Sequence, residues 1–289
     1  MLREDSEARN RVEVHGVRIP TLVYGTAWKE DRTAALTRAA LDAGFRGIDT
    51  ANQRKHYHEA GVGEAIRGAL QAGVVAREDL FVQTKFTYVR GQDARLPYDP
   101  RAPVAEQVAQ SFASSLEHLG LERVDAYLLH GPWGFSGLSK EDWEAWGAME
   151  ALQGAGMARL IGISNASLAQ LAELHAGASV QPSVVQNRTL TRPQADLGVR
   201  AFCRERGIAY EGFSLLTADP SLLAHPAVRG AAQRAGRTAA EVILRFWVDE
   251  GIVVLTGATS PEHVAQDLSI RDFRLMPEEA AALRRIIVA

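Results

Sequence analysis

Eight short apolar runs recur along the chain, each closed by a polar or glycine-containing loop and followed by a longer amphipathic stretch. They read "TLVYGTAW", "FRGIDTA", "LFVQTKF", "VDAYLLHGP", "ARLIGISN", "PSVVQN", "GIAYEGFS" and "GIVVLTGAT". Runs this apolar lack a polar face, so the strands they predict are covered on both sides, as in a parallel sheet wrapped by helices. Intervening segments such as 33–44 and 104–120 space their apolar residues at three to four and stop at Gly44 and Gly120, which predicts helices with glycine caps. Eight strand–helix units close into a (β/α)8 TIM barrel of about 250 residues. The 289 residues leave length for a C-terminal helix and a short N-terminal β-hairpin, read in "RVEVHGVRIP" around a His15-Gly16 turn. We expect a polar tail over 1–10 and one barrel domain over 11–289. A doubly wound nucleotide-binding sheet would instead need G-x-G-x-x-G between its first strand and helix, where this chain reads "YGTAWKEDRT". "GVGEAIRG" lacks the third glycine and predicts close helix packing.

Charge and composition narrow the partners. A formal net charge of -3 with no dense basic block argues against nucleic acid, whose affinity rests on clustered cations. The single Cys203 rules out an internal disulfide and a thiolate metal site, and predicts a small buried hydrophobe in a reducing compartment. "MLREDSEARN" has no apolar signal core, and no run of about 18 apolar residues exists. The expectation is a cytoplasmic protein with no membrane partner, acting as a monomer or weak homo-oligomer.

In such a barrel, reactive side chains lie at the C-terminal strand ends. Strand two ends in Asp49, strand three in Lys85 and strand four in His130, while the loop after strand two carries Tyr57. These four suit protonation of a carbonyl oxygen. A phenol is a weak acid at neutral pH, and a neighbouring ammonium, supplied by Lys85, lowers its pKa. Asp49 would keep Lys85 charged, and His130 would orient the substrate oxygen. None of the four is a reductant, so hydride must come from a cofactor. Trp28, Tyr88 and Trp133 follow strands one, three and four and are candidates for an apolar substrate wall, with simple loop packing as the alternative. A metal-assisted hydrolase using Asp49, His56, His58 and His130 is disfavoured, because these residues show no i,i+4 ligand pair and Lys85 would repel the ion.

"GFRGIDTA", "TK", "LLHGP", "GISN", "VVQN" and "LRFW" occur in this order along nearly the whole chain, which thereby resembles the aldo-keto reductase family. The resemblance implies NAD(P)H-dependent reduction of a small carbonyl substrate, with Tyr57 as general acid completed by Asp49, Lys85 and His130. It implies that Ser164, Asn165 and Gln186 hold the nicotinamide carboxamide and that Phe213, beside Ser214 and Leu215, stacks on the ring. It also exposes departures. The family's tyrosine usually falls five residues after the aspartate, where this chain has Arg54, so Tyr57 requires a short insertion and His56 or His58 stand as alternatives. After strand eight, the usual Lys-Ser pair and Arg read Gly257, Ala258 and His263, with Asp267 where Asn is common. A 2′-phosphate clamp of that kind is largely missing. Thr256, Thr259, Ser260 or Arg271 are the partial substitutes. The expected cofactor is therefore NADPH or NADH, with weaker discrimination than the family shows. The remaining alternative is a non-catalytic barrel that binds the nucleotide.

Overall fold

The computed structural model describes residues 10–189 and 196–288. The polar tail expected over 1–10 lies, apart from Asn10, outside them. Strands β1 (Arg11–Val14) and β2 (Val17–Pro20) form an antiparallel hairpin. Its two turn residues take the left-handed conformation, His15 at φ 47° and Gly16 at φ 74°, as an Asn-Gly-like two-residue turn requires. All eight apolar runs become strands of one closed parallel barrel: β3 (Leu22–Gly25), β4 (Gly47–Asp49), β5 (Phe81–Phe86), β6 (Val124–Leu129), β7 (Ala158–Ser164), β8 (Val184–Arg188), β9 (Ala209–Phe213) and β10 (Val253–Thr256). The order around the barrel follows the chain, and β10 pairs with β3 to close it.

Helices α1 (Thr33–Ala43), α2 (Glu59–Gln71), α3 (Val104–Leu119), α4 (Lys140–Gly154), α5 (Leu168–Gly177), α6 (Leu197–Arg206), α7 (Pro226–Ala235), α8 (Ala239–Asp249), α9 (Pro261–Ser269) and α10 (Pro277–Ile287) surround it. Gly44 and Gly120 cap α1 and α3 in the left-handed region. The glycines of "GVGEAIRG" do serve packing: a Cβ on Gly63 would strike the backbone carbonyl of His118, so α2 touches the end of α3 backbone to backbone. Cys203 is buried and its thiol is pushed up to about 12, chiefly by burial, which leaves it an inert hydrophobe.

Two apolar layers result. One, between strands and helices, contains Phe86, Phe112, Trp146 and Trp247. The other fills the barrel floor with inward residues such as Val23, Phe81, Leu128, Leu160 and Val253, and the hairpin seals it with Val14, Val17 and Ile19. Because side chains alternate along a strand, inward Phe81 puts Gln83 and then Lys85 inward too, and inward Ala209 does the same for Glu211 and Phe213. The barrel is thus apolar at its floor and polar towards its C-terminal mouth.

Candidate active site

The polar layer is built where β4, β5, β8 and β9 meet across the interior. Asp49 pairs in register with Gln83, and Gln186 with Glu211. Lys85, with no solvent exposure, donates from Nζ to Asp49 Oδ1 at 2.5 Å and to the Thr50 carbonyl at 2.9 Å. Burial alone would drive this ammonium down, but Asp49, Tyr57 and Glu211 carry it above its ordinary value, so Lys85 stays charged.

Tyr57 hangs over this pair from the loop between β4 and α2. The loop folds back on itself, the amides of His56 and Tyr57 both donating to the Gln53 carbonyl. The Tyr57 ring centroid lies 5.4 Å from Lys85 Nζ and 5.9 Å, edge-on, from the His130 ring. Of the three candidates in "KHYH", Tyr57 is the one beside both. His56 instead stacks on Trp28 at 3.7 Å between centroids, and His58 sits at the N-terminus of α2. Part of Tyr57 is open to the cleft, but protein crowds it on every other side. Burial accordingly raises its phenol above the ordinary value, with Lys85 pulling down and Asp49 pushing up. The lowered value expected from the sequence is not what results, because desolvation outweighs the ammonium; the phenol is held protonated.

His130 follows β6 directly. Its Nδ1 is 2.6 Å from Thr87 Oγ1, which leaves Nε2 free of that contact. Burial, then Lys85 and His56, lower the imidazole to about 3, so it is neutral at any working pH.

These groups line one end of a cleft of about 950 Å³. Asp49, Tyr57, His130, Ser164, Asn165 and Gln186 bound that end, and Phe213, Ser214 and Leu215 continue its wall. Gln186 gives both hydrogens of Nε2 to carboxylates, Asp49 Oδ1 at 3.0 Å and Glu211 Oε2 at 2.8 Å. Asn165, itself left-handed at φ 53°, donates from Nδ2 to the His130 carbonyl and to Ser164 Oγ. The far end is walled by Thr256, Gly257, Ala258, His263 and Asp267, with Thr238 and Gln266. There the N-termini of α8 and α9 meet, capped by Thr238 and Ser260. Asp267 accepts from Thr256 Oγ1 at 2.5 Å, and burial raises its carboxyl to about 6.

Several expectations fail here. Tyr88 and Trp133 do not line the cleft. The Tyr88 hydroxyl donates to Asp142 Oδ1 at 3.0 Å, and Trp133 packs edge-on against it at 5.0 Å, so both brace loops against α4. Trp28 does line the cleft and is two-thirds exposed at 67%. Thr259 is exposed and, like Arg271, outside the cleft wall. Sequence reasoning also missed Lys29. Its ammonium is buried, donates to the Gly257 carbonyl at 2.8 Å, and lies 3.5 Å from where a side chain on Gly257 would begin. Burial and then Arg32 lower it to about 8. Cationic charge therefore does reach the loop after β10, from the opposite side of the barrel seam.

The sequence profile of the Aldo/keto reductase family matches residues 21–288. The chain belongs to this family. It is 32% identical to an uncharacterized oxidoreductase, YtbE, of Bacillus subtilis, over 92% of this chain and 88% of that one. Among solved structures, an aldo/keto reductase from Brucella melitensis superposes with a TM-score of 0.80 at 31% identity, covering 96% of this chain and 98% of the other. The Bombyx mori aldo-keto reductase AKR2E4 in complex with NADP gives 0.79 at 26% identity, over 96% and 92%. As an aldo-keto reductase the chain is a nicotinamide-dependent oxidoreductase. Among its described residues, no helix is long and apolar enough to cross a membrane, and no three His, Cys, Asp or Glu side chains cluster as metal ligands.

Proposed function

We propose that this aldo-keto reductase reduces a small aldehyde or ketone to the alcohol, with Tyr57 as proton donor and NADPH or NADH as reductant. The observation that carries this reading is the Tyr57 ring set between the Lys85 ammonium and neutral His130 at the inner end of the cleft. The cleft fits a dinucleotide in size and in its sequence of groups. Near Tyr57, the Gln186 carbonyl oxygen is the part of that amide left for a carboxamide, Asn165 and Ser164 flank it, and Phe213 offers a flat apolar face. At the far end two helix N-termini suit the phosphates of the cofactor. When bound, the nicotinamide supplies the hydride.

The residues of the chain do the rest. Lys85, kept charged by Asp49, stabilises the phenolate that Tyr57 becomes on giving up its proton. His130, neutral and tied at Nδ1, can hydrogen-bond the substrate oxygen through Nε2 without competing for the proton. Trp28 and His56 form an aromatic wall over the entrance, suited to an apolar substituent on the carbonyl. We read 11–289 as one catalytic domain. Lys29 offers one cation near Gly257 where the family's side-chain pair is absent, while Asp267 opposes a dianion, which keeps the preference for NADPH over NADH modest.

The test is consumption of reduced cofactor with a panel of aldehydes and ketones, with Tyr57→Phe and His56→Ala alongside. Tyr57→Phe lowers turnover by about 10²-fold or more and leaves cofactor affinity nearly intact. A full effect in His56→Ala with none in Tyr57→Phe would move the acid to the histidine.

A further inference from the structure

The polar layer of the barrel contains a carboxylate that the proton relay above does not use. Glu211, on β9, has no solvent exposure. Its Oε2 accepts from Gln83 Nε2 at 2.6 Å and from Gln186 Nε2 at 2.8 Å, and the same two nitrogens donate to Asp49 Oδ1 at 2.8 and 3.0 Å. A primary amide has two hydrogens, so each glutamine uses both, and the four bonds close a ring that locks the two carboxylates side by side. Among the described residues, Lys85 is the single ammonium against this pair. Two carboxylates sharing one counter-charge away from water cannot both ionise freely. Asp49 has Lys85 in direct contact. Glu211 does not, and among the described residues its buried Oε1 has no hydrogen-bond partner, so that oxygen accepts a proton without displacing either amide. The charged groups acting on Glu211 are Asp49 from β4 and Lys85 from β5; its register neighbours on β8 and β10, Gln186 and Val253, are neutral.

We propose that Glu211 is a positioning residue of the reduction, a second carboxylate whose charge tunes how firmly Lys85 and Tyr57 keep their protons. The proposal rests on the Tyr57–Lys85 relay stated above. An ionised Glu211 adds a negative charge beside Lys85, which favours the ammonium and disfavours loss of the phenolic proton, so the acid stays loaded at higher pH. It is among the groups that raise Lys85. Its own carboxyl is raised to about 7, first by burial and then by Asp49, so this charge is acquired near neutrality, just before the acid would begin to fail.

The experiment is the pH profile of kcat for an aromatic aldehyde probe, 4-nitrobenzaldehyde, at saturating NADPH, for the wild type, Glu211→Gln and Glu211→Asp. Glu211→Gln keeps the shape and an acceptor oxygen but removes the charge, and its alkaline limb moves to lower pH by about one unit. Glu211→Asp keeps the charge, and its limb stays with the wild type. An unmoved limb in Glu211→Gln overturns the proposal, as does an equal displacement in both variants, which marks a packing role. Should Glu211→Gln not fold, Glu211→Ser removes the same charge and the same comparison applies. If Tyr57→Phe retains full turnover, the relay itself is at fault, and if the wild type does not reduce the probe, kcat does not read the relay. The phenolate absorbance of Tyr57, read as the wild type minus Tyr57→Phe, then reports directly. Tyr57 ionising at lower pH in Glu211→Gln supports the charge coupling, and no change overturns it.

Discussion

Raising the pH from about 5 to about 8 should withdraw one contribution to this protein's stability that belongs to a single side chain. The Glu211 carboxyl stands at 4.5 when unperturbed and at about 7 in the folded barrel. Between those values the folded state holds a proton that the unfolded chain has released. Stability therefore falls as pH rises through this window and levels off above it. The full penalty is on the order of 3 kcal/mol. Part of it has accrued by pH 5, so roughly 2–3 kcal/mol remains to be lost between pH 5 and pH 8. Asp267, raised from 3.8 to about 6, acts in the same direction but mostly below pH 6, while His130, lowered from 6.5 to about 3, acts in the opposite direction as its unfolded imidazole loses its proton, so both must be separated by difference. Urea unfolding followed by tryptophan fluorescence, at fixed temperature and ionic strength, gives that difference when run on the wild type and Glu211→Gln at both pH values. The variant should lose roughly 2–3 kcal/mol less than the wild type. Equal losses would refute the reasoning, because they would mean that Glu211 titrates alike in the folded and unfolded chains.

Replacing Lys85 with Met leaves Asp49 and Glu211 with no cation. Turnover at neutral pH should nearly cease and stability drop by about 3–5 kcal/mol, checked by single-turnover reduction and urea unfolding. For the cofactors, dissociation constants measured at one ionic strength should favour NADPH over NADH by less than about 100-fold, some 2.7 kcal/mol, and Lys29→Met should narrow the ratio further. Gly162→Ala should be among the most damaging small changes, costing several kcal/mol or preventing folding, because the new Cβ meets the Val184 carbonyl and a Leu128 methyl inside the barrel; thermal unfolding decides it.

The barrel could be read from the chain because its strands are covered on both sides, and eight near-continuous apolar runs leave few other closures. The same property hid Glu211 and Gln83. Strands without a polar face show no alternation, so "AYEGF" and "FVQTKF" do not reveal which residues point inward until a register is fixed by a neighbour. Asp49, Lys85 and His130 were legible because they end runs, and ends of runs are visible without a register. Tyr57 was found only by allowing an insertion, and the backbone of that loop, turned back on Gln53, shows how three extra residues still bring the ring beside Lys85. Lys29 was invisible because its partner, Gly257, lies 228 residues away across the seam. For Tyr88 the sequence leaves both a pocket wall and loop packing open; its hydroxyl finds Asp142, which makes it loop packing, a preference that no local sequence signal announces.

The seam of the barrel also sets an order of events during synthesis. β3 is made long before its partner on one side, β10: Leu22 is in register with Val254, 254 minus 22 or 232 residues later. At roughly 5–20 residues per second, a ribosome takes about 10–50 s to produce that partner. Throughout the interval one edge of β3 has its backbone groups unpaired, and the hairpin that seals the floor has no complete floor to seal. Exposed strand edges of this kind are templates for pairing with other chains. Because Tyr24 and Lys29 grip the Ala258 and Gly257 carbonyls across the same seam, the loop that walls the far end of the cleft is finished only when the last strand arrives.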